Sequence, residues 1–308
     1  MPITNGNTPL WVASSRGNEG VVRLLLAADY FNPSQPDGSD QRPLWWACIN
    51  RDEGMVKQLL AGDNVNGDEP DSWGRTPLWW ASLRGHEAVV RLLLARDEVN
   101  PDKACIKGRT PLSQAASTGN EGVVRLLLAR DDVNPEKPED NGTTPLLGAS
   151  YMGHEGVVRL LLARDDVNPD KLSKFGYTAL LSASTSGQEG VVGLLLARDD
   201  VNPNNPDPGG VTPLLYACRY GFAGIVRQLL ARDDIKPEQP NNDGESPLWT
   251  ACHNGHEGVV RLLLARDDVD PNKPDNRGQT PLQTASIRGH METAELLQAR
   301  IDTISSPD

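Results

Sequence analysis

His154-Glu155 begins what would be a zinc-hydrolase helix motif, H-E-x-x-H. In that motif two imidazoles four residues apart hold the metal and the glutamate serves as general base. Val158 stands where the second imidazole is needed, so the motif fails. His86, His154, His256 and His290 recur at one register, one per repeated segment. Packed neighbouring helices sit roughly 10 Å apart, too far for these rings to share one ion through bonds of about 2 Å. Carboxylate pairs such as Asp131-Asp132 suggest acid–base work, but a similar pair follows nearly every apolar block, which marks scaffold. Cys48, Cys105, Cys218 and Cys252 include no C-x-x-C pair. Cys218 and Cys252 fall at one register, alternate with Ser and Ala there, and are packing residues beyond disulfide reach. No G-x-x-x-x-G-K-[ST] loop is present. Asn141-Gly142-Thr143 matches a glycosylation sequon but reads as a turn. These residues imply no catalytic centre, no metal, no cofactor and no small-molecule substrate.

The elements that carry them repeat strictly. Leu10, Leu44, Leu78, Leu112, Leu146, Leu180, Leu214, Leu248 and Leu282 are each 34 residues apart. Such a period makes every position a column, and each column reports what the unit requires physically. Ala13 through Ala285, Leu25 through Leu297 and Ala27 through Ala299 never vary. Gly17 and Gly85 through Gly289 form another column, with Arg51 the single exception; Gly6 and Gly74 through Gly278 form a fourth, with Asp40 the exception. In the third copy, Pro77 opens a short helix running to about Arg84, because proline is tolerated in the first turn. Gly85 ends it. His86-Glu87 starts a second helix, the glutamate sitting favourably at its positive end, and Asn18, Asp52 and Asn120 are better caps at the same register. Val89, Val90, Leu92, Leu93 and Leu94 give that helix a wide apolar face, and the following NPDK stretch is an extended turn. Two short helices cannot bury such a face alone, whereas stacked copies can. Glu19/Arg23, Glu87/Arg91, Glu121/Arg125, Glu155/Arg159 and Glu257/Arg261 lie four apart and form a solvated outer face.

The bulk numbers narrow the function. The chain has 308 residues, 38% hydrophobic, with three phenylalanines. A thick globular core is not expected, although length alone would suggest about two domains. Net charge is −12, which argues against nucleic acid and anionic membrane surfaces. No stretch approaches a membrane span, and MPITNGNTPL is not a signal peptide. Cysteine usage fits a reducing interior, so the expected location is intracellular, cytoplasmic or nuclear.

The unit resembles the ankyrin repeat, whose signature T-P-L-H-x-A, glycine turn and V-V-x-L-L-L helix appears here as TPLWWA and VVRLLL. The match spans essentially the whole chain. A tetratricopeptide repeat shares the period but lacks the Thr-Pro-Leu start. The resemblance implies an all-α ankyrin-repeat solenoid: stacked helix-turn-helix pairs with short hairpin fingers, coiled into a curved right-handed superhelix. It implies one domain over 1–308, in nine repeats: 1–36, 37–70, 71–104, 105–138, 139–172, 173–206, 207–240, 241–274 and a C-terminal cap at 275–308. Two departures stand out. The family's His is replaced mostly by Trp or Leu, and the loop after the second helix is one residue longer, so differently shaped fingers are expected. The uniform units look like long fungal ankyrin arrays.

Such arrays bind along a concave face made by finger tips and first helices. On a wheel of about 100° per residue with Leu78 at zero, Trp79 falls at about 100° and faces the neighbouring repeat. Trp80 falls at about 200° and Arg84 at about 240°, away from the core, with Leu83 bordering them at about 140°. Trp79 and Trp45 are therefore expected to pack between repeats, and Trp80 and Trp46 to face the groove. Two candidate protein-binding clusters follow. One comprises Trp46, Ile49, Trp73, Arg75, Trp80, Leu83, Arg84 and Arg109; the other comprises Tyr151, Met152, Phe175, Tyr177, Tyr216, Arg219 and Tyr220. Aromatic and Arg side chains are the usual interface anchors.

The ends differ. Thr293, Glu295 and Gln298 replace Val, Arg and Leu in the last copy, a polar cap. The first copy keeps Val21, Val22, Leu24, Leu25 and Leu26, which suggests a natural start further upstream unless MPITNGN covers them. The sequence thus points to a monomeric, non-catalytic scaffold that binds a protein or peptide. The alternative is a sensing or spacer module of a larger protein with little affinity of its own.

Overall fold

The computed structural model describes residues 8–28, 35–36, 42–62 and 65–305. The MPITNGN segment and Asp40 lie outside the described residues. Eighteen helices follow in pairs, with no strand among the described residues. They divide into two compact units. The first, up to Asp140, holds α1 (Pro9–Ser15), α2 (Glu19–Leu26), α3 (Pro43–Ile49), α4 (Glu53–Leu60), α5 (Pro77–Arg84), α6 (Glu87–Leu94), α7 (Pro111–Ser117) and α8 (Glu121–Leu128). The second, from Asn141, holds α9 (Pro145–Met152), α10 (Glu155–Leu162), α11 (Ala179–Ser186), α12 (Glu189–Leu196), α13 (Pro213–Tyr220), α14 (Ala223–Leu230), α15 (Pro247–Asn254), α16 (Glu257–Leu264), α17 (Pro281–Arg288) and α18 (Met291–Ser305). Within each unit, first helices pack on first helices and second helices on second helices. No helix is long and apolar enough to cross a membrane among the described residues.

The third copy shows why these residues make these elements. The Thr76 hydroxyl accepts the Trp79 amide at 3.1 Å and caps α5, while Pro77 fills the first turn, where its missing N–H costs nothing. Gly85 ends the helix in the left-handed region at φ 71°. Arg51 takes the same turn at φ 60° without being glycine, which costs roughly 1–2 kcal/mol. Leu78, Ala81, Val89, Val90 and Leu93 are fully buried. Removing one such leucine side chain costs about 2–5 kcal/mol. The invariant Ala lets consecutive first helices approach; from Ala47 to Ala285 it is fully buried in every copy.

Polar clips join consecutive copies. Arg96, Arg130, Arg198, Arg232 and Arg266 each donate to the last carbonyl of the preceding second helix, at Leu60, Leu94, Leu162, Leu196 and Leu230, over 2.7–3.1 Å. Cations are favoured at that negative helix end. Each guanidinium also binds the carboxylate two residues on, as Arg232 does Asp234. The second carboxylate of each recurrent loop pair is thus structural. The cap register behaves differently from expectation. Asp52 does cap its helix through the Met55 amide. Asn18 and Asn120 make no capping bond. Asn120 instead reaches back to the Ser82 and Leu83 carbonyls, and Nε2 of His86, His256 and His290 meets the Ile49, Arg219 and His253 carbonyls in the same way. That side chain serves the neighbouring copy because the end of each first helix leaves carbonyls beside it.

The outer pairs Glu87/Arg91, Glu155/Arg159 and Glu257/Arg261 form and are solvated. In the last copy Glu295 and Gln298 are exposed, but Thr293 is buried, so the polar cap is carried by fewer side chains than expected. Val21 and Leu24 in the first copy are exposed.

Candidate binding surface

Each finger is a tight turn closed at a glycine, and in four of them an Asx side chain, Asp71, Asp207, Asn241 or Asp275, accepts the turn's amides. The Asp71 carboxylate accepts the Trp73 and Arg75 amides at 2.9 and 2.8 Å, and Gly74 takes φ 77°. Consecutive fingers then stack: Ile106 N–H donates to Trp73 C=O at 2.9 Å, and Asp140 N–H to Lys107 C=O at 3.2 Å. A Cβ on Gly74 would come within 3.2 Å of the Cys105 backbone, so close stacking also needs glycine there. In the second unit Lys174, Asn242 and Asn276 donate to Asn141, Gly209 and Asp243 in the same pattern. Pro208 has no N–H to offer Phe175, which interrupts the series.

In the first unit the fingers hold a cleft of about 290 Å³ lined by Trp73, Arg75, Trp79, Cys105, Ile106, Lys107 and Arg109. It brings together three residues expected from the sequence, Trp73, Arg75 and Arg109. Trp73 and Ile106 are the exposed apolar side chains of its rim, at 58% and 63%. Arg75 pairs with Asp71 at 2.6 Å and lies 4.3 Å over the Trp80 ring. Arg109 pairs with Glu139 at 3.1 Å. Trp79 and Trp80 meet edge to face. Leu83 is half-buried and Arg84 exposed, on the last turn of α5. Trp46 and Ile49 are half-buried on α3 and do not line the cleft; Trp46 packs edge-on against Trp11 instead.

The adjacent tryptophans separate in burial as the wheel suggests, but Trp79, not Trp80, lines the cleft. Trp45 and Trp79 are buried. The Trp45 indole donates to the Glu69 carbonyl at 3.0 Å, and Trp249, at the same register, to Gln279 at 2.9 Å. Trp46 and Trp80 are half-buried, and the Trp80 ring is roofed by Arg75.

In the second unit Tyr216 departs from expectation: it is buried, not part of an open surface. Its ring joins Leu181, Val211 and Leu215, with Tyr177 packed against them. The Tyr216 hydroxyl donates to Asp207 Oδ2 at 2.8 Å and accepts from Tyr177 at 3.0 Å. Burial first, then these bonds, push its phenol far above the ordinary range. The wheel misleads here because a first helix in a stack has two covered flanks. Gln114, Ser182, Thr250 and Thr284, at the same register as Tyr216, are buried as well. Tyr220 stacks on Tyr216 and contacts Phe222, and Arg219 lies 5.5 Å over the Tyr216 ring. Tyr220, Tyr151, Met152 and Phe175 remain exposed.

Sequence reasoning passed over Cys105, Ile106 and Lys107 in the cleft. Their signal was register: Lys107 lies 34 residues beyond Trp73, at the same finger tip. It also missed a polar relay in the eighth and ninth copies. Arg288 donates to Nε2 of His253, which therefore keeps its proton on Nδ1 and gives it to the Thr284 hydroxyl at 3.0 Å. Burial, followed by the Arg288 charge, lowers the affinity of His253 for a second proton.

No group of three or more His, Cys, Asp or Glu side chains is placed to hold a metal among the described residues. Burial raises the thiol pKa values of Cys48, Cys218 and Cys252 and keeps them protonated. A comparison with curated proteins finds no match. The family model described as ankyrin repeats (3 copies) matches residues 2–68, 30–103, 96–171, 133–207, 163–240 and 222–305, overlapping across nearly the whole chain. With its paired helices, glycine-ended turns and stacked fingers, the chain belongs to the ankyrin-repeat family.

Proposed function

We propose that this chain is a non-catalytic scaffold that binds a protein or peptide through its finger tips and the last turns of its first helices. Ankyrin repeats are in general protein–protein interaction modules. One observation carries the reading for this chain. Between the two terminal copies, every exposed large apolar side chain except Leu172 lies at one of those two places, among the described residues. Trp73, Ile106 and Phe175 are on fingers; Tyr151, Met152 and Tyr220 are on last turns. The second helices instead present solvated Glu–Arg pairs, which contribute little to binding.

Affinity capture from the native source tests this. Alanine at Trp73, Leu83 and Arg84 together is expected to abolish partner capture with the thermal melt unchanged. Alanine at Arg91 and Arg125, on the outer face, is expected to leave capture intact. Equal capture by all three proteins would refute the surface, and no capture by the unmodified chain would favour a spacer role.

A further inference from the structure

None of the nine first helices among the described residues contains an aspartate or glutamate, although the chain carries 42 of them and a net charge of −12. The acids lie in the loops and on the second helices. The last turns of first helices carry Arg84, Arg219, His253 and Arg288 instead. In the first unit this bias continues into the finger cleft, where Arg75, Lys107 and Arg109 face Trp73 and Ile106. Asp71 and Glu139 neutralise Arg75 and Arg109. Lys107 and Arg84 have no ion-pair partner among the described residues, and both are exposed.

We propose that the first unit selects an acidic segment of its partner, one in which carboxylates flank an apolar side chain. The apolar group rests on Trp73 and Ile106, and the carboxylates meet Lys107 and Arg84. This rests on the docking role proposed above and adds the partner's chemistry. A polyphosphate chain fits less well. It offers no apolar group to Trp73 and Ile106, the exposed side chains of the cleft's rim.

The test uses the full chain and fluorescein-labelled synthetic peptides of repeated Glu-Glu-Leu, Gln-Gln-Leu and Lys-Lys-Leu, read by fluorescence polarisation. The Glu peptide is expected to bind at least about tenfold tighter than the Gln peptide, and to weaken as salt rises. Lys107→Glu with Arg84→Glu is expected to reverse the preference toward the Lys peptide while leaving the thermal melt unchanged. Equal affinity for the Glu and Gln peptides would overturn the proposal, as would equally tight binding of a single-stranded oligonucleotide of matching charge. Failure of every peptide while partner capture persists would overturn acid selection alone. Failure of both would remove the docking role itself.

Discussion

Arg232→Met tests how much of the stack is held by polar clips. The guanidinium donates to the Leu196 and Arg198 carbonyls at 3.0 and 2.9 Å and pairs with Asp234, and its side chain is only 18% exposed. Methionine keeps the length of the stem and deletes the charge. A hydrogen bond from a charged group is worth about 1.5–3 kcal/mol. Part of that returns when water reaches the freed carbonyls and Asp234, so a net loss of about 2 kcal/mol is expected. Arg91→Met is the control: its bond to Glu87 is solvated on both sides, and its loss should cost about 0.3–0.5 kcal/mol. Urea titrations followed by circular dichroism, analysed as the difference in midpoint, compare the two. The gap also has a pH signature. The bonds from Arg232 hold the Asp234 carboxyl below its ordinary value. Its contribution is therefore complete above the unfolded value of about 3.9 and fades as pH falls through the lower folded value. The gap between the two variants should narrow at the acid end without closing, because the bonds from Arg232 to the Leu196 and Arg198 carbonyls do not titrate. If Arg232→Met costs no more than Arg91→Met at neutral pH, the clip does not join the copies.

Three further outcomes follow from particular residues. Arg51→Gly, relieving the left-handed backbone at φ 60°, is expected to raise stability by about 1 kcal/mol, read from the shift in denaturation midpoint. Asp102→Asn and Asp170→Asn should each stabilise by roughly 1 kcal/mol. The Oδ1 atom of each is buried without a partner, whereas Asn204 at the same register donates to the Asp234 carbonyl at 2.8 Å. Burial raises both carboxyls, so the advantage of Asn should shrink as pH falls through their folded values and protonation relieves the same defect. Tyr216→Phe removes the bond to Asp207 and is expected to cost about 2 kcal/mol; a loss under half of that would mean the hydroxyl is solvated in solution.

The paired helices were legible because each requirement of the unit is written nine times over. Pro77 and Gly85 mark the ends of α5 through backbone chemistry that needs no knowledge of neighbours. The deeper burial of Trp79 than of Trp80 was likewise visible, since a residue one step from Leu78 must turn toward the next copy, but not that Trp79 would line the cleft in place of Trp80. Tyr216 was misjudged for a physical reason. A wheel assumes one buried side, and a helix held between two others has two, leaving only its last turn open. Asn120 and His86 looked like caps because cap chemistry is local, whereas their actual acceptors are carbonyls of the preceding copy. The cleft depended on fingers stacking through Trp73 C=O and Ile106 N–H, a contact across copies that composition does not encode.

The central claim is that a partner protein docks on the finger tips and last turns of the first helices. The most direct measurement places a photo-crosslinking amino acid at position 84, on the last turn of α5, and in a second protein at position 91, on the outer face of α6. Irradiation in native extract is predicted to yield a discrete crosslinked product from position 84 and none from position 91. The same product from both positions, or from position 91 alone, would contradict the account.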